Sequence, residues 1–132
     1  MSKKLGMKFD NDKIQWHLLP EEPIIEIVKV LMLGAAKYAP ENWKYVNDFY
    51  NRYYDALCRH RSDIKKFMEF KDTKYIYDDD TGLHHLAHLL CDGIFLLWKE
   101  IQGGNIDNET WKIKLQEIKD KYKDDRKKFK DK

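Results

Sequence analysis

The sequence predicts an all-α domain, a small helical bundle of about four main helices behind an irregular N-terminal arm. Three observations predict it. Apolar residues recur at spacings of three and four over long stretches, no stretch alternates with period two, and breakers fall where the helical patterns stop. With 132 residues, 42% hydrophobic and 14% aromatic, the chain can build one core and is too apolar for disorder. Residues 1–132 therefore read as a single domain: an arm over 1–20, core helices over 21–102 and a basic C-terminal helix over 105–132.

The arm shows no apolar period and ends at Pro20. A first helix is expected from about Pro23, a residue suited to the first helical turn. Ile24, Ile27, Val28, Leu31 and Ala35 share one side of it and Ile25, Val30, Met32 and Leu33 cover most of the rest, so it should be buried nearly all round. Pro40 ends it. A second pattern from about Val46 to Phe70 carries Tyr50, Tyr54, Leu57, Ile64 and Met68 along one stripe, with Arg59 and His60 in its middle. Residues 71–80 read as a loop, and Thr81 as the N-cap of a third helix that Gly103-Gly104 stops. On that helix Leu83, Leu86, Leu90, Ile94, Leu97 and Ile101 form the expected core stripe. A last helix over about 108–129 shows its own stripe, Trp111, Leu115, Ile118, Tyr122 and Phe129.

Charge is uneven along the chain. Residues 112–132 hold ten Lys and Arg against five Asp and Glu, a net +5, so the remainder is −3 within a total of +2. The apolar stripe makes this tail a solvated helix packing on the body or on a second subunit, and nucleic acid is not the expected partner. No apolar run approaches the roughly 20 residues of a membrane span, and the N-terminal lysines precede no apolar signal region; a soluble, cytoplasmic protein is expected. Cys58 and Cys91 sit inside helical patterns without metal spacing and read as buried free thiols.

The chemistry concentrates in "DDDTGLHHLAHLLCD", Asp78 to Asp92. His84, His88 and Asp92 follow at i, i+4 and i+8, with His85 beside them, opposite the aliphatic stripe; side chains four apart stand about 6 Å from each other and can share a ligand. Asp78, Asp79 and Asp80 precede a helix N-terminus that favours negative charge, yet three adjacent carboxylates repel, and a hard cation such as Mg²⁺ would neutralise them. Zinc is less expected than Mg²⁺, because a closed zinc site would use a cysteine set or HExxH spacing and neither is present, and the adjacent His-Asp pair of HD hydrolases is missing too. Glu26, a carboxylate on a helix read as buried, must be paired, protonated or metal-bound.

Four blocks in order, "GMKFDNDKIQWHLLP", "LMLGAAKYAPENW", "RYYDALCRH" and "DDDTGLHHLAH", resemble the dATP/dGTP diphosphohydrolase N-terminal family, much of it phage-encoded. The resemblance implies a helical domain related to MazG-type nucleoside triphosphate pyrophosphatases, which use Mg²⁺ and act as oligomers. It places Lys8, Asp10, Lys13 and Trp16, then Lys37, Tyr38, Asn42 and Trp43, then Arg59 and His60 at a nucleotide site, and Asp78, Asp80, Gly82, His84, His85 and His88 in the acid and histidine block. Lys and Arg would neutralise phosphates, Trp and Tyr would face a purine, and Asn would read a base edge.

These readings lead to a metal-dependent pyrophosphohydrolase converting purine dNTPs to dNMP and pyrophosphate. Asp78 and Asp80 would hold Mg²⁺, with Mn²⁺ as the alternative, and His84, His88 and Glu26 would act in catalysis. A homo-oligomer is expected, in the host-cell cytoplasm if the protein is phage-encoded. Asp80 stands where the family has Glu, and the paired Glu-x-x-Glu/Asp repeats of the MazG type are missing. A non-catalytic nucleotide or cyclic-nucleotide binding protein, a phage sponge against host immune signalling, is therefore the alternative. A third option is a structural helical protein whose basic tail binds a partner.

Overall fold

The computed structural model of the chain describes Gly6, Met7 and residues 13–130, without the side chains of Arg126, Phe129 and Lys130. Its helices are α1 (Glu21–Lys37), α2 (Phe49–Phe70), α3 (His85–Gln102), α4 (Thr110–Lys121) and α5 (Lys123–Lys130). Short 3-10 turns at Trp16–Leu18, Asn42–Tyr45 and Thr73–Tyr75 join them. Among the described residues there is no strand, only one isolated antiparallel bridge, Tyr77 to His84. The all-α architecture is the expected one.

Local chemistry sets the boundaries. Glu21 and Glu22 occupy the first turn of α1, where carboxylates complement the helix dipole, and Lys37 sits in its last turn. Lys71 ends α2 in a left-handed conformation, φ 56°, donating its N–H to the Phe67 carbonyl. Gly103 and Gly104 end α3. The final helical stretch breaks at Tyr122, so the single C-terminal helix expected is two, α4 and α5.

α3 packs along α2 and against α1. Ile27 of α1, Phe49 of α2, and Cys91 and Phe95 of α3 form the buried core, with Trp43, Tyr53 and Trp98 packed around them. The rings choose the geometry. Trp43 stacks on Phe95 with centroids 4.3 Å apart, Trp98 meets the Trp43 ring edge-on at 4.9 Å, and Tyr53 meets Phe95 edge-on at 4.9 Å. Such pairs add about 0.5–1.5 kcal/mol each beyond the area they bury.

This packing inverts the expected face of α3. Leu86, Leu90, Ile94, Leu97 and Ile101 are exposed, while His85, Ala87, Cys91, Asp92 and Phe95 are buried. The side of α3 carrying Phe95 and Trp98 meets the rings of Trp43, Phe49 and Tyr53, and that aromatic match outweighs the longer aliphatic stripe. α2 departs only in part: Phe49 is buried and Leu57 and Ile64 of the expected stripe are half-buried, whereas Tyr50, Tyr54 and Met68 are exposed. α1 is not buried all round, since Ile27 alone is fully buried and Ile25, Val28, Met32 and Leu33 are exposed. Residues 101–125 are exposed, including Trp111, Leu115, Ile118 and Tyr122 of the tail stripe, and the Phe129 side chain lies outside the described residues. Both cysteines are free, Cys91 buried and Cys58 half-buried.

Candidate functional site

The segment 76–84 is a tight hairpin rather than the start of α3. The Asp78 amide donates to the Leu83 carbonyl at 2.8 Å, the Gly82 amide donates to the Asp78 carbonyl at 2.7 Å, and the His85 amide donates to Ile76 at 3.0 Å. Gly82 sits at φ 73°, a conformation that strains any side-chain-bearing residue. The cap of α3 therefore falls to His84, whose Nδ1 accepts from the Leu86 amide at 2.9 Å, and not to Thr81.

Freed from capping, Thr81 links two functional groups. Asp78 Oδ1 accepts from the amides of Asp80 and Thr81 and from the Thr81 hydroxyl, at 3.0, 2.9 and 3.1 Å. Burial opposes ionisation of Asp78, but these hydrogen bonds and the nearby His88 outweigh it and hold the carboxyl below its ordinary range. Thr81 Oγ1 also lies 2.7 Å from His88 Nε2. With the single hydroxyl proton assigned to Asp78, the proton in the second bond belongs to His88 Nε2, and His88 Nδ1 carries the free lone pair.

Three histidines from two helices meet behind this hairpin. His60 Nδ1 of α2 lies 2.9 Å from His85 Nδ1 of α3, and the His60 ring stacks on His88 at 4.7 Å and 10°. His85 Nε2 faces Asp63 Oδ2 at 3.6 Å. Burial, then the rings of His88 and His85, push His60 down to about 4; burial also lowers His88, so both are neutral near pH 7. Among the described residues, His60, Asp78 and His85 are the one grouping of three metal-capable side chains whose donor atoms lie within 4.8 Å of one another.

Farther along the same two helices lies a cleft of about 1040 Å³ lined by Tyr38, Asn42, Trp43, Arg52, Tyr53 and Arg59 among others. On α3, between His88 of the cluster and Phe95 of the cleft lining, sits Asp92, 8% exposed, whose Oδ2 has no hydrogen-bond partner among the described residues. Burial pushes its carboxyl up to about 7, against the pull of the Arg59 charge.

The structure thus brings together His60, Asp78, His85 and His88 in one cluster and Tyr38, Asn42, Trp43 and Arg59 in one cleft. One face of Trp43 is occupied by Phe95. Asp80 is exposed, with its charge felt by Lys37 and His88, and Lys37 lies at the end of α1 over the Tyr38 ring. Lys13 and Trp16 are exposed and do not line the cleft; Lys8 and Asp10 lie outside the described residues. Glu26 pairs with Lys29 at 2.7 Å and is not part of the cluster. The three-membered donor set that the described residues assemble contains two imidazoles beside the Asp78 carboxylate. Asp63, Arg52 and Tyr53 escaped the sequence reading. For Asp63 the signal was its spacing of three from His60 on one helix.

The sequence profile described as "dATP/dGTP diphosphohydrolase, N-terminal" matches residues 3–109, which contain the hairpin, the cluster and the cleft. The chain belongs to the dATP/dGTP diphosphohydrolase N-terminal family. A dATP/dGTP diphosphohydrolase of Salmonella phage PMBT28 is similar to this family member, 29% identical over 115 residues. That alignment covers 87% of the chain but 37% of the relative, so the family member spans little more than a third of that protein's length. No solved structure matches it. Among the described residues no helix is long and apolar enough to cross a membrane.

Proposed function

We propose that this domain carries the nucleotide site of a pyrophosphohydrolase that converts purine dNTPs to dNMP and pyrophosphate. The observation that supports it is a shared seam: the cleft is lined by Arg52, Tyr53 and Arg59 of α2 and by Ile94 and Phe95 of α3, and the same two helices carry His60 and His85 of the cluster, so a nucleotide in the cleft would have its phosphates within the reach of that seam. Tyr38, Tyr53 and Asn42 would hold the base, and Arg52 and Arg59 would neutralise phosphate charge. His88, with Nδ1 free, would accept the proton of a water attacking the α-phosphorus as the bond to the β-phosphate oxygen breaks and pyrophosphate leaves. A divalent metal would supply phosphate charge neutralisation. The name of the phage relative agrees with this substrate class.

Incubation with a panel of (d)NTPs and Mg²⁺ or Mn²⁺, with products resolved by ion exchange, tests the reading. Monophosphate and pyrophosphate, absent with Asp78→Ala and with His88→Ala, are the expected products. The missing paired Glu-x-x-Glu/Asp repeats favour a second reading, a nucleotide or cyclic-nucleotide binding protein; intact ligand bound equally well in EDTA would establish it instead.

The reading includes self-association in the host cytoplasm, where the nucleotides are. Leu86, Leu90, Ile94 and Leu97 of α3 and Val28 and Met32 of α1 are exposed, and Ile94 also lines the cleft, so a second copy would border the site. Light scattering should report an oligomer that Leu90→Asp dissociates while helicity is retained. A folded wild-type monomer would overturn the self-association.

A further inference from the structure

We propose that His60, Asp78 and His85 bind one divalent transition-metal ion of the Mn²⁺, Fe²⁺, Co²⁺ or Zn²⁺ kind, with Asp63 orienting the His85 ring from behind. The inference deepens the reading above by naming the ion. It rests on that reading only for the ion's use, since binding is tested without nucleotide.

The donor geometry comes first. His60 projects from α2, His85 from the first turn of α3 and Asp78 from the hairpin, so three elements converge on one point. The two Nδ1 atoms are 2.9 Å apart, and all three donors lie within 4.8 Å of one another. An ion with bonds of about 2.0–2.2 Å sets adjacent donors roughly 3 Å apart and opposite donors a little over 4 Å apart, so the cluster requires little rearrangement.

The donors' chemistry then selects the ion. Mg²⁺ and Ca²⁺ favour oxygen ligands, whereas two imidazoles and one carboxylate suit first-row transition ions and Zn²⁺. Three protein ligands leave positions open for water or a phosphate oxygen. No HExxH spacing announces the site because its histidines come from two helices.

The surroundings match what such a ligand set needs. A ligating histidine commonly turns its second nitrogen to a carboxylate, and His85 Nε2 faces Asp63 at 3.6 Å. The His88 ring stacked on His60 fixes that ring's plane, and three hydrogen bonds to Oδ1 fix Asp78. Two rings sharing a proton would satisfy the Nδ1 atoms alone. The convergence of Asp78 and Asp63 on the same rings adds two negative charges, which a dication balances.

The test is titration of the EDTA-stripped full chain with Co²⁺, read by its visible d–d bands, together with calorimetry using Zn²⁺, Mn²⁺ and Mg²⁺. One equivalent of Co²⁺ is expected, displaced by Zn²⁺ and not by equimolar Mg²⁺. His85→Ala and His60→Asn should each weaken binding at least 100-fold, Asp63→Asn by 10–100-fold, and the exposed His17→Ala not at all. Half-buried His60 keeps the test available if His85→Ala fails to fold by circular dichroism. A wild-type chain that stays metal-free in millimolar Co²⁺, or full-affinity binding in His60→Asn, would overturn the inference. Stoichiometric binding without nucleotide turnover would leave it standing and remove the hydrolase; Mg²⁺-supported turnover without metal at these histidines would do the reverse.

Discussion

The seam between α2 and α3 has two ends built on opposite principles. At one end Trp43, Phe49, Tyr53, Phe95 and Trp98 pack ring against ring. At the other, His60, Asp63, Asp78, His85 and His88 meet through hydrogen bonds and charge. The first end repays burial through apolar area and ring geometry. The second gains little from area and must satisfy each polar atom separately. Stability should therefore reside at the aromatic end and chemistry at the ionisable end.

The largest effect should come from breaking the aromatic end. Phe95→Ala removes a ring that touches both Trp43 and Tyr53, and should cost about 3–5 kcal/mol in denaturant unfolding. A loss below about 1 kcal/mol would mean that those rings are not the core. At the ionisable end Asp78→Asn keeps the volume and loses the charge. Turnover, where measured, should fall at least 100-fold, about 2.7 kcal/mol in activation free energy, while the melting temperature moves far less.

Asp92 lies between the two ends and ties them to pH. Its folded pKa, about 7, is above the ordinary 3.8, so the folded chain holds an extra proton between those values and loses stability as pH rises through that window. His60 has the opposite sign. Its pKa of about 4 is below 6.5, so the unfolded chain binds more protons from pH 4 to 6.5, and stability rises with pH there. The two slopes oppose each other in the wild type. Asp92→Asn should expose the histidine slope alone, changing the pH dependence of unfolding by about 1.4 kcal/mol per unit. Parallel wild-type and variant profiles from pH 4 to 7 would refute the assignment.

The aromatic end also explains what could be read in advance. Helices α1, α2 and α3 were legible because apolar residues recur at helical spacing and Pro40 and Gly103 punctuate them. Their inner faces were not, since period locates a stripe without saying what covers it, and five aliphatic residues of α3 outnumber the one ring, Phe95, that is fully buried. Thr81 carries a good N-cap side chain, yet Gly82 at φ 73° turns the backbone into a hairpin and passes the cap to His84. The acid and histidine block was legible as a site from its composition. Its link to His60 and Asp63 was not, because that link is made by packing of two helices distant in sequence.

Thr81→Val is the smallest and sharpest probe of the ionisable end. The change conserves shape and deletes one hydroxyl, which donates to Asp78, accepts from His88 Nε2 and accepts from the Leu83 amide at 3.2 Å. For stability this is a partly buried hydrogen-bonding group, and its loss should cost about 1 kcal/mol. For the site it removes the group that dictates which His88 nitrogen is protonated. With Oγ1 gone, the proton is free to move to Nδ1, and the population with a usable lone pair there falls. Turnover should therefore drop about tenfold, in kcat rather than KM, about 1.4 kcal/mol in activation free energy, if His88 is the base. An unchanged kcat beside the lost stability would instead make Thr81 a hairpin residue only, and would move the proton-accepting role away from His88.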